Sequence, residues 1–274
     1  MPRTLAVTTQ IGCQNMCNYC PQNKFIKAYT RANKIKKMSF DTFKICVDKL
    51  PPGTAINFAG FVEPYLNPDC TQMILYANQL GIKIQLLTTT VGMTLQDIDL
   101  IEEIPFARFL VHLPDNKKQT SMKVNKTFIQ VVRRLINSRI NVEWKFHQSP
   151  LGSEDLHPLL KIILVEANLY DSMIKAGLKT RAGNVEIQGK PFVKKIKGNI
   201  SGCHLLYVNQ LLPNGDVFIC CMDWELKYFL GNLLESDYES LFQSQTYQAI
   251  LKGFKDDNSE ILCRYCELCQ PGQA

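Results

Sequence analysis

The sequence predicts an α/β protein built on parallel strands and followed by a small cysteine-rich appendage. Three observations predict it. Short apolar and β-branched runs alternate with segments of helical period over the first two thirds of the chain. Ser, Asp, Thr and Asn stand where those helical segments need caps. After about Val193 the alternation stops, and glycines, a tight-turn signal and a renewed supply of cysteines take over. At 274 residues the chain is long enough for one large core with an appendage, divided here as 1–195 and 196–274.

Strands are expected at Leu5–Thr9, Ala55–Ala59, Lys83–Thr88, Arg108–His112 and Asn141–His147, with a sixth at Lys179–Val185. Ser39 is placed to cap a helix over Phe40–Leu50, Asp69 one that includes Met73–Leu80, Thr94 one over Leu95–Ile104 and Asn125 one that includes Phe128–Ile136. Such alternation calls for right-handed crossovers between parallel strands, as a barrel or an open sheet. Either architecture puts its chemistry at the C-terminal ends of the strands. In the appendage, Pro213-Asn214-Gly215-Asp216 between Leu205–Leu212 and Val217–Ile219 marks a hairpin, because Asn-Gly tolerates the positive φ of a tight turn. A helix is expected over Tyr238–Phe254.

Composition narrows the class. With 46% hydrophobic residues and no apolar run approaching the roughly 20 residues of a membrane span, a membrane protein is not expected. Met1-Pro2-Arg3-Thr4 leads straight into the first strand with no secretory pattern, so the expected compartment is the cytoplasm. Eleven cysteines in a reducing compartment point to metal ligation rather than disulfides. The net charge of +6 draws on Lys34, Lys36, Lys37 and on Lys194, Lys195, Lys197, which read as solvated faces; nucleic acid is not an expected partner.

The stretch Ile11-Gly12-Cys13-Gln14-Asn15-Met16-Cys17-Asn18-Tyr19-Cys20-Pro21 sets three thiols in a CxxxCxxC loop at the end of the first strand. Thiolates suit zinc or iron–sulfur clusters. A structural zinc needs a fourth ligand, and none of His112, His147, His157 and His204 is near this loop in sequence. Three thiolates on a four-iron cluster leave one iron open for an exchangeable ligand.

That loop, at that place, resembles the signature of the radical S-adenosylmethionine (SAM) superfamily. The resemblance implies a partial (β/α)6 barrel and a [4Fe-4S] cluster held by Cys13, Cys17 and Cys20, whose open iron chelates the amino and carboxylate groups of SAM. It implies reductive cleavage to a 5′-deoxyadenosyl radical, and an electron donor such as flavodoxin or ferredoxin. Tyr19 matches the aromatic that lies beside the adenine. Phe58-Ala59-Gly60-Phe61-Val62-Glu63-Pro64 resembles the GGEP-type loop, so Gly60 and Glu63 are expected at the SAM ammonium, although Val62 stands where the family has a second glycine. Thr88, Thr89 and Thr90 follow the third strand, where hydroxyls are expected toward the SAM carboxylate or ribose.

Six further cysteines, Cys203, Cys220, Cys221, Cys263, Cys266 and Cys269, lie in the appendage, while Cys46 and Cys70 read as ordinary thiols. On spacing alone a zinc ribbon and an iron–sulfur site stand level. Gly215-x4-Cys220 with a terminal Cys263-x2-Cys266 resembles the SPASM/twitch domain of one branch of radical SAM enzymes. The shorter twitch form implies one auxiliary [4Fe-4S] cluster, on Cys203, Cys220, Cys263 and Cys266, with Cys221 and Cys269 spare.

Within that branch the chain resembles enzymes of the 2-deoxy-scyllo-inosamine dehydrogenase type. The implied reaction removes hydrogen from a hydroxyl-bearing carbon of a small substrate (a sugar, nucleotide sugar or aminocyclitol) and oxidises it to a ketone, the auxiliary cluster taking an electron. Arg181, in Thr180-Arg181-Ala182-Gly183, is then expected to orient the hydroxyl. His112 and His147, at predicted strand ends, are candidates for contact with substrate or a transferable proton, with Asp115 and Gln148 weaker ones. Three alternatives remain: an epimerase with Cys221 as hydrogen donor, a peptide-modifying enzyme, and a non-catalytic zinc or RNA-binding protein. About four residues precede the first strand, which favours a small substrate over a peptide.

Overall fold

The computed structural model describes residues 3–116, 119–148, 156–187 and 194–272; Val193 lies outside them. Strands β1 (Thr4–Val7), β2 (Ala55–Phe58), β3 (Ile84–Thr88), β4 (Arg108–His112), β5 (Val142–His147) and β6 (Ile174–Ala176) pair in sequence order, every pair parallel. Between them run α1 (Gln22–Thr30), α2 (Phe40–Val47), α3 (Cys70–Gln79), α4 (Leu95–Ile101), α5 (Lys126–Ile136) and α6 (Pro158–Glu166). The result is a partial (β/α)6 barrel.

Alternation along each strand separates core from site. Leu5, Val7, Ile56, Phe58, Leu86, Phe109, Val111, Trp144 and Phe146 are buried in one core with the apolar faces of α2 to α6. The residues between them, Ala6, Asn57, Leu87, His112, Lys145 and His147, line a cavity on the opposite face. The caps work as expected at Ser39, whose Oγ accepts from Thr42 N, and at Asn125, whose Oδ1 accepts from Phe128 N. Thr94 and Asp97 form a reciprocal capping box. Asp69 makes no such bond. Instead the buried Asn67 accepts from Asp69 N and donates to the carbonyls of Thr9 and Met38.

Two differences from the sequence reading matter. The sixth strand is Ile174–Ala176, not Lys179–Val185. Arg181, Ala182 and Gly183 have φ of 55°, 54° and 77°, three left-handed residues in succession, and a strand cannot hold that backbone. Helices α1 and α6 have no counterpart among the expected elements: α6 is apolar almost all round and carries no clear amphipathic stripe, whereas α1 is short and mostly polar, with a stripe of only Phe25, Ile26 and Tyr29, of which Phe25 and Tyr29 are buried.

The C-terminal region contains β7 (Ile200–Gly202), β8 (Val208–Leu211), β9 (Asp216–Phe218), β10 (Phe229–Asn232), α7 (Gln245–Gly253) and β11 (Gln270–Pro271). The hairpin β8–β9 forms as expected around Gly215, at φ 86°. It does not stand apart, because β8 pairs parallel with β1, and the sheet runs β10-β9-β8-β1-β2-β3-β4-β5-β6. The expected helix over Tyr238–Phe254 is split by Ser244, which ends a short 3-10 turn and caps α7. Among the described residues no helix is long and apolar enough to cross a membrane.

Candidate active site

One cavity of about 530 Å³ opens at the C-terminal ends of the parallel strands. Cys13, Cys17 and Cys20 line it together with Tyr19, Gly60, Glu63, Thr88, Thr89, His112, His147, Arg181 and Cys221. Residues predicted from separate stretches of sequence therefore meet. Thr90 does not join them. It faces a neighbouring hollow with Gln14, Asn15 and Ser121.

The three-cysteine loop is held from several sides. Gln22 donates through Nε2 to Cys20 Sγ at 3.5 Å and to the Phe61 carbonyl, Asn15 Nδ2 donates to Thr89 Oγ1 at 2.9 Å, and Asn18 N donates to the Gln119 carbonyl at 2.9 Å. All three thiols are half-buried. Burial pushes each of them up, Cys17 to about 12, and Cys13 and Cys17 are raised further by the neighbouring Cys20. Free thiolates would repel one another here, whereas a shared cationic iron–sulfur core reverses that effect. The donor set fits a [4Fe-4S] cluster bound by three thiolates.

Glu63 ties the loop after β2 to the loop after β3. Its Oε1 accepts from Thr88 Oγ1 at 2.6 Å and Tyr65 N at 3.1 Å, and its Oε2 from Thr89 Oγ1 at 2.6 Å and Thr89 N at 2.5 Å. Burial raises its pKa, and these four donors work against that rise. Gly60, at φ 58°, presses on β1: a Cβ there would lie 2.2 Å from Thr8 Oγ1 and 2.9 Å from Thr8 Cα. No other residue fits.

Across the cavity, Tyr19, His147 and His112 form a row, with ring centroids 4.7 Å and then 5.2 Å apart. The Tyr19 hydroxyl is hydrogen-bonded to Cys17. Burial, with Lys145 and Arg181 nearby, lowers His147 to about 4 and His112 well below the usual range, so both imidazoles are neutral near pH 7. Both ring nitrogens of His147 are buried and neither makes a well-formed hydrogen bond among the described residues, although the Ala176 backbone beside the ring works against the lowering.

The C-terminal cysteines converge as well. β7 and β11 pair antiparallel, Gly202 opposite Gln270, which sets Cys203 beside Cys269. The Cys269 thiol is hydrogen-bonded with Cys203, Cys263 and Cys266; this holds Cys203 down to about 7 and Cys266 below its usual range, and drives Cys269 far up. Cys220, just past the end of β9, feels Cys263, and Cys221 beside it turns to the cavity. The loop is anchored by Arg264, 0% exposed, which donates to the carbonyls of Gly253, Phe254, Ile196 and Gly198. This donor set fits a closed, four-thiolate cluster with thiols to spare.

Sequence reasoning missed several cavity residues. Lys145 and Lys179 line it, as does His204. Lys145 was within reach of the sequence, since it is two residues before His147 on a strand and must share its face. Glu267, which supports the cavity wall without lining it, was not, because its partners Thr180, Arg181 and Ala182 lie some 86 residues away.

Comparison with known proteins bears on the fold and on the C-terminal cysteine-rich region. Residues 197–270 match the SPASM model, an iron–sulfur cluster-binding domain. Among solved structures, the chain is similar to BtrN in complex with AdoMet and 2-DOIA, at 15% identity and a TM-score of 0.59, covering 98% of this chain and 93% of that one. It is similar to anSMEcpe with bound AdoMet, at 12% identity and 0.65, covering 98% and 88%. It is similar to Streptococcus suis SuiB bound to precursor peptide SuiA, at 13% identity and 0.64, covering 98% and 70%. At these identities the likeness is one of fold. A search among curated protein sequences finds no match.

Proposed function

We propose that this chain, which has the fold of radical SAM enzymes carrying a SPASM domain, binds SAM at the three-cysteine loop and oxidises an alcohol of a small hydroxylated substrate to a ketone. The reading is carried by one observation: Cys13, Cys17, Cys20, Glu63, His147, Arg181 and Cys221, drawn from both ends of the chain, line a single cavity.

Cys13, Cys17 and Cys20 would hold the SAM-binding [4Fe-4S] cluster, and Cys203, Cys220, Cys263 and Cys266 the auxiliary one. When bound, the first cluster with SAM supplies a 5′-deoxyadenosyl radical and the second an acceptor for one electron. Glu63, with the Gly60 backbone, would receive the SAM ammonium, Thr88 and Thr89 its polar groups and Tyr19 its adenine. Arg181 would orient the substrate hydroxyl, as a permanently charged donor rather than a base. A neutral nitrogen of His147 would accept the proton of that hydroxyl, and His112, packed edge-on against His147, fixes the ring.

A second assignment of the auxiliary site is favoured by the contact of Cys269 with Cys203, Cys263 and Cys266, which would put Cys269 in place of Cys220. A second reaction is favoured by Cys221. Its thiol lines the cavity, and burial keeps it protonated, so it would return a hydrogen atom to the opposite face and make the enzyme an epimerase. Peptide modification is a third, supported by the likeness to SuiB with its precursor peptide.

Anaerobic reconstitution with iron and sulfide, then dithionite and SAM, tests the reading. About eight irons per chain and formation of 5′-deoxyadenosine are expected. Cys13→Ala should abolish SAM cleavage; zinc with little iron, or cleavage that survives the substitution, would overturn the proposal. A ketone product supports oxidation, whereas solvent deuterium at an inverted carbon supports epimerisation.

A further inference from the structure

The charge of the cavity is one-sided. Lys145 on β5, Lys179 after β6 and Arg181 in the left-handed turn line it together. Glu63 is the only carboxylate among its described lining residues; it accepts from Thr88, Thr89 and Tyr65, and in the proposed function its charge is given to the SAM amino group. The next carboxylate on the same face of β5, Glu143, is gripped by Arg108 Nε and Nη2 at 2.8 to 3.1 Å. Among the described residues, the ammonium groups of Lys145 and Lys179 and the guanidinium of Arg181 make no hydrogen bond or ion pair. Burial and the charges of Arg181, Arg108 and Lys179 push the Lys145 ammonium down, with Glu143 opposing.

Unpaired cations gathered in a half-buried cavity repel one another, and an entering anion relieves that repulsion. The Cys20 thiolate, a ligand in the proposed function, accounts for one of the three, since the charge of Arg181 reaches it. In the proposed function the amino and carboxylate groups of SAM are taken by the open iron. Lys145 and Lys179 are then left without a counter-charge. A carboxylate would answer one of them. A phosphate ester, close to −2 at pH 7 and with three acceptor oxygens, answers both.

We propose that Lys145 and Lys179, with Arg181 beside them, form the seat of a phosphate group, and that the substrate is a phosphate-bearing hydroxylated small molecule. A sugar phosphate and a nucleotide sugar share that chemistry. An amine-bearing cyclitol does not, because its ammonium would enter a wall of like charge. The inference rests on the proposed hydrogen-abstracting function, but it is tested by binding, so the two fail separately: loss of SAM cleavage by the wild type strikes the function and leaves the anion seat to be measured.

Equilibrium dialysis of the reconstituted, SAM-loaded full chain with glucose 6-phosphate, a uridine diphosphate sugar and glucosamine is the test. At least one phosphate-bearing probe should bind more tightly than glucosamine, inorganic pyrophosphate should compete, and affinity should fall as salt is raised. The probe preferred separates a sugar phosphate from a nucleotide sugar. Replacing both lysines, Lys145→Gln with Lys179→Gln, should weaken phosphate binding about tenfold or more, whereas the Lys→Arg pair should stay within about threefold of wild type. Glucosamine binding as tightly as the phosphates, affinity indifferent to salt, preference for an acidic peptide over both phosphates, or an unchanged Kd in the Gln pair would each overturn the proposal. If the Gln pair does not fold, pyrophosphate competition and salt dependence on the wild type decide.

Discussion

The carboxylate of Glu267 grips the backbone of Arg181. Its Oε1 accepts from Arg181 N at 3.1 Å, while its Oε2 accepts from Ala182 N at 3.1 Å and Thr180 Oγ1 at 2.7 Å. A residue set between Cys266 and Cys269 thus holds the turn that aims Arg181 into the cavity. Left-handed non-glycine residues cost on the order of 1–3 kcal/mol each and persist only where the surroundings over-determine them. Glu267→Ala removes all three acceptor contacts. Substrate turnover should fall about tenfold or more, mainly through KM, with Glu267→Gln falling less because its amide oxygen still accepts. Steady-state kinetics of the two variants checks this. Equal, small effects on kcat alone would mean that Arg181 does not orient the substrate.

The sequence made the barrel strands legible for a physical reason. Five of its six parallel strands are short β-branched and apolar runs ending in turn residues, and their positions agree with the structure to within two residues at each end. The candidate site was legible wherever chemistry and local spacing coincide, as at Cys13, Cys17 and Cys20. It was not legible where tertiary contact decides. Nothing local marks Thr180–Gly183 as a left-handed turn, because its determinant, Glu267, comes from the far end of the chain. The same holds for Cys269, which the resemblance to the twitch elements leaves spare and which the β7–β11 pairing brings against Cys203.

Gly60 is a steric requirement rather than a preference. Its φ is positive, and a Cβ added to it would come within 2.9 Å of the Thr8 backbone, so Gly60→Ala must move β1 or the Glu63 loop. A loss of at least about 2 kcal/mol is expected, seen as a lower midpoint in thermal unfolding. Gly177→Ala is the comparison: nothing lies within 4 Å of its Cβ position, and its φ is not positive, so its midpoint should stay near wild type. Equal midpoints for the two variants would contradict the close approach.

His147 gives a pH dependence whose sign is fixed. Its folded-state pKa of about 4 lies below the ordinary 6.5, chiefly through burial. Between those values the unfolded chain binds a proton that the folded chain does not, so stability rises with pH across that window and is lost as pH falls through it. The contribution is about 3 kcal/mol at most. In His147→Phe this part of the acid dependence should disappear, so in urea unfolding the wild type should lose up to about 2 kcal/mol relative to the variant between pH 7 and pH 5. A difference that stays constant between the two pH values would place the His147 titration elsewhere.

Cys220 and Cys269 compete for one position. Cys203, Cys263 and Cys266 belong to both assignments; Cys220 follows Gly215 at the expected spacing, and Cys269 is in contact with the other three thiols. A four-thiolate cluster uses only one of them. Loss of a true ligand leaves an iron open and the cluster labile, whereas loss of the spare thiol changes little. If the sequence assignment holds, Cys220→Ala reconstitutes with about four irons per chain while Cys269→Ala retains about eight. The reverse result would move the fourth ligand to Cys269, so that both ends of the Cys266–Cys269 loop that carries Glu267 would hold the cluster. Iron and sulfide analysis, with the spectrum of the reduced auxiliary cluster read in a Cys13→Ala background, separates the two without depending on turnover.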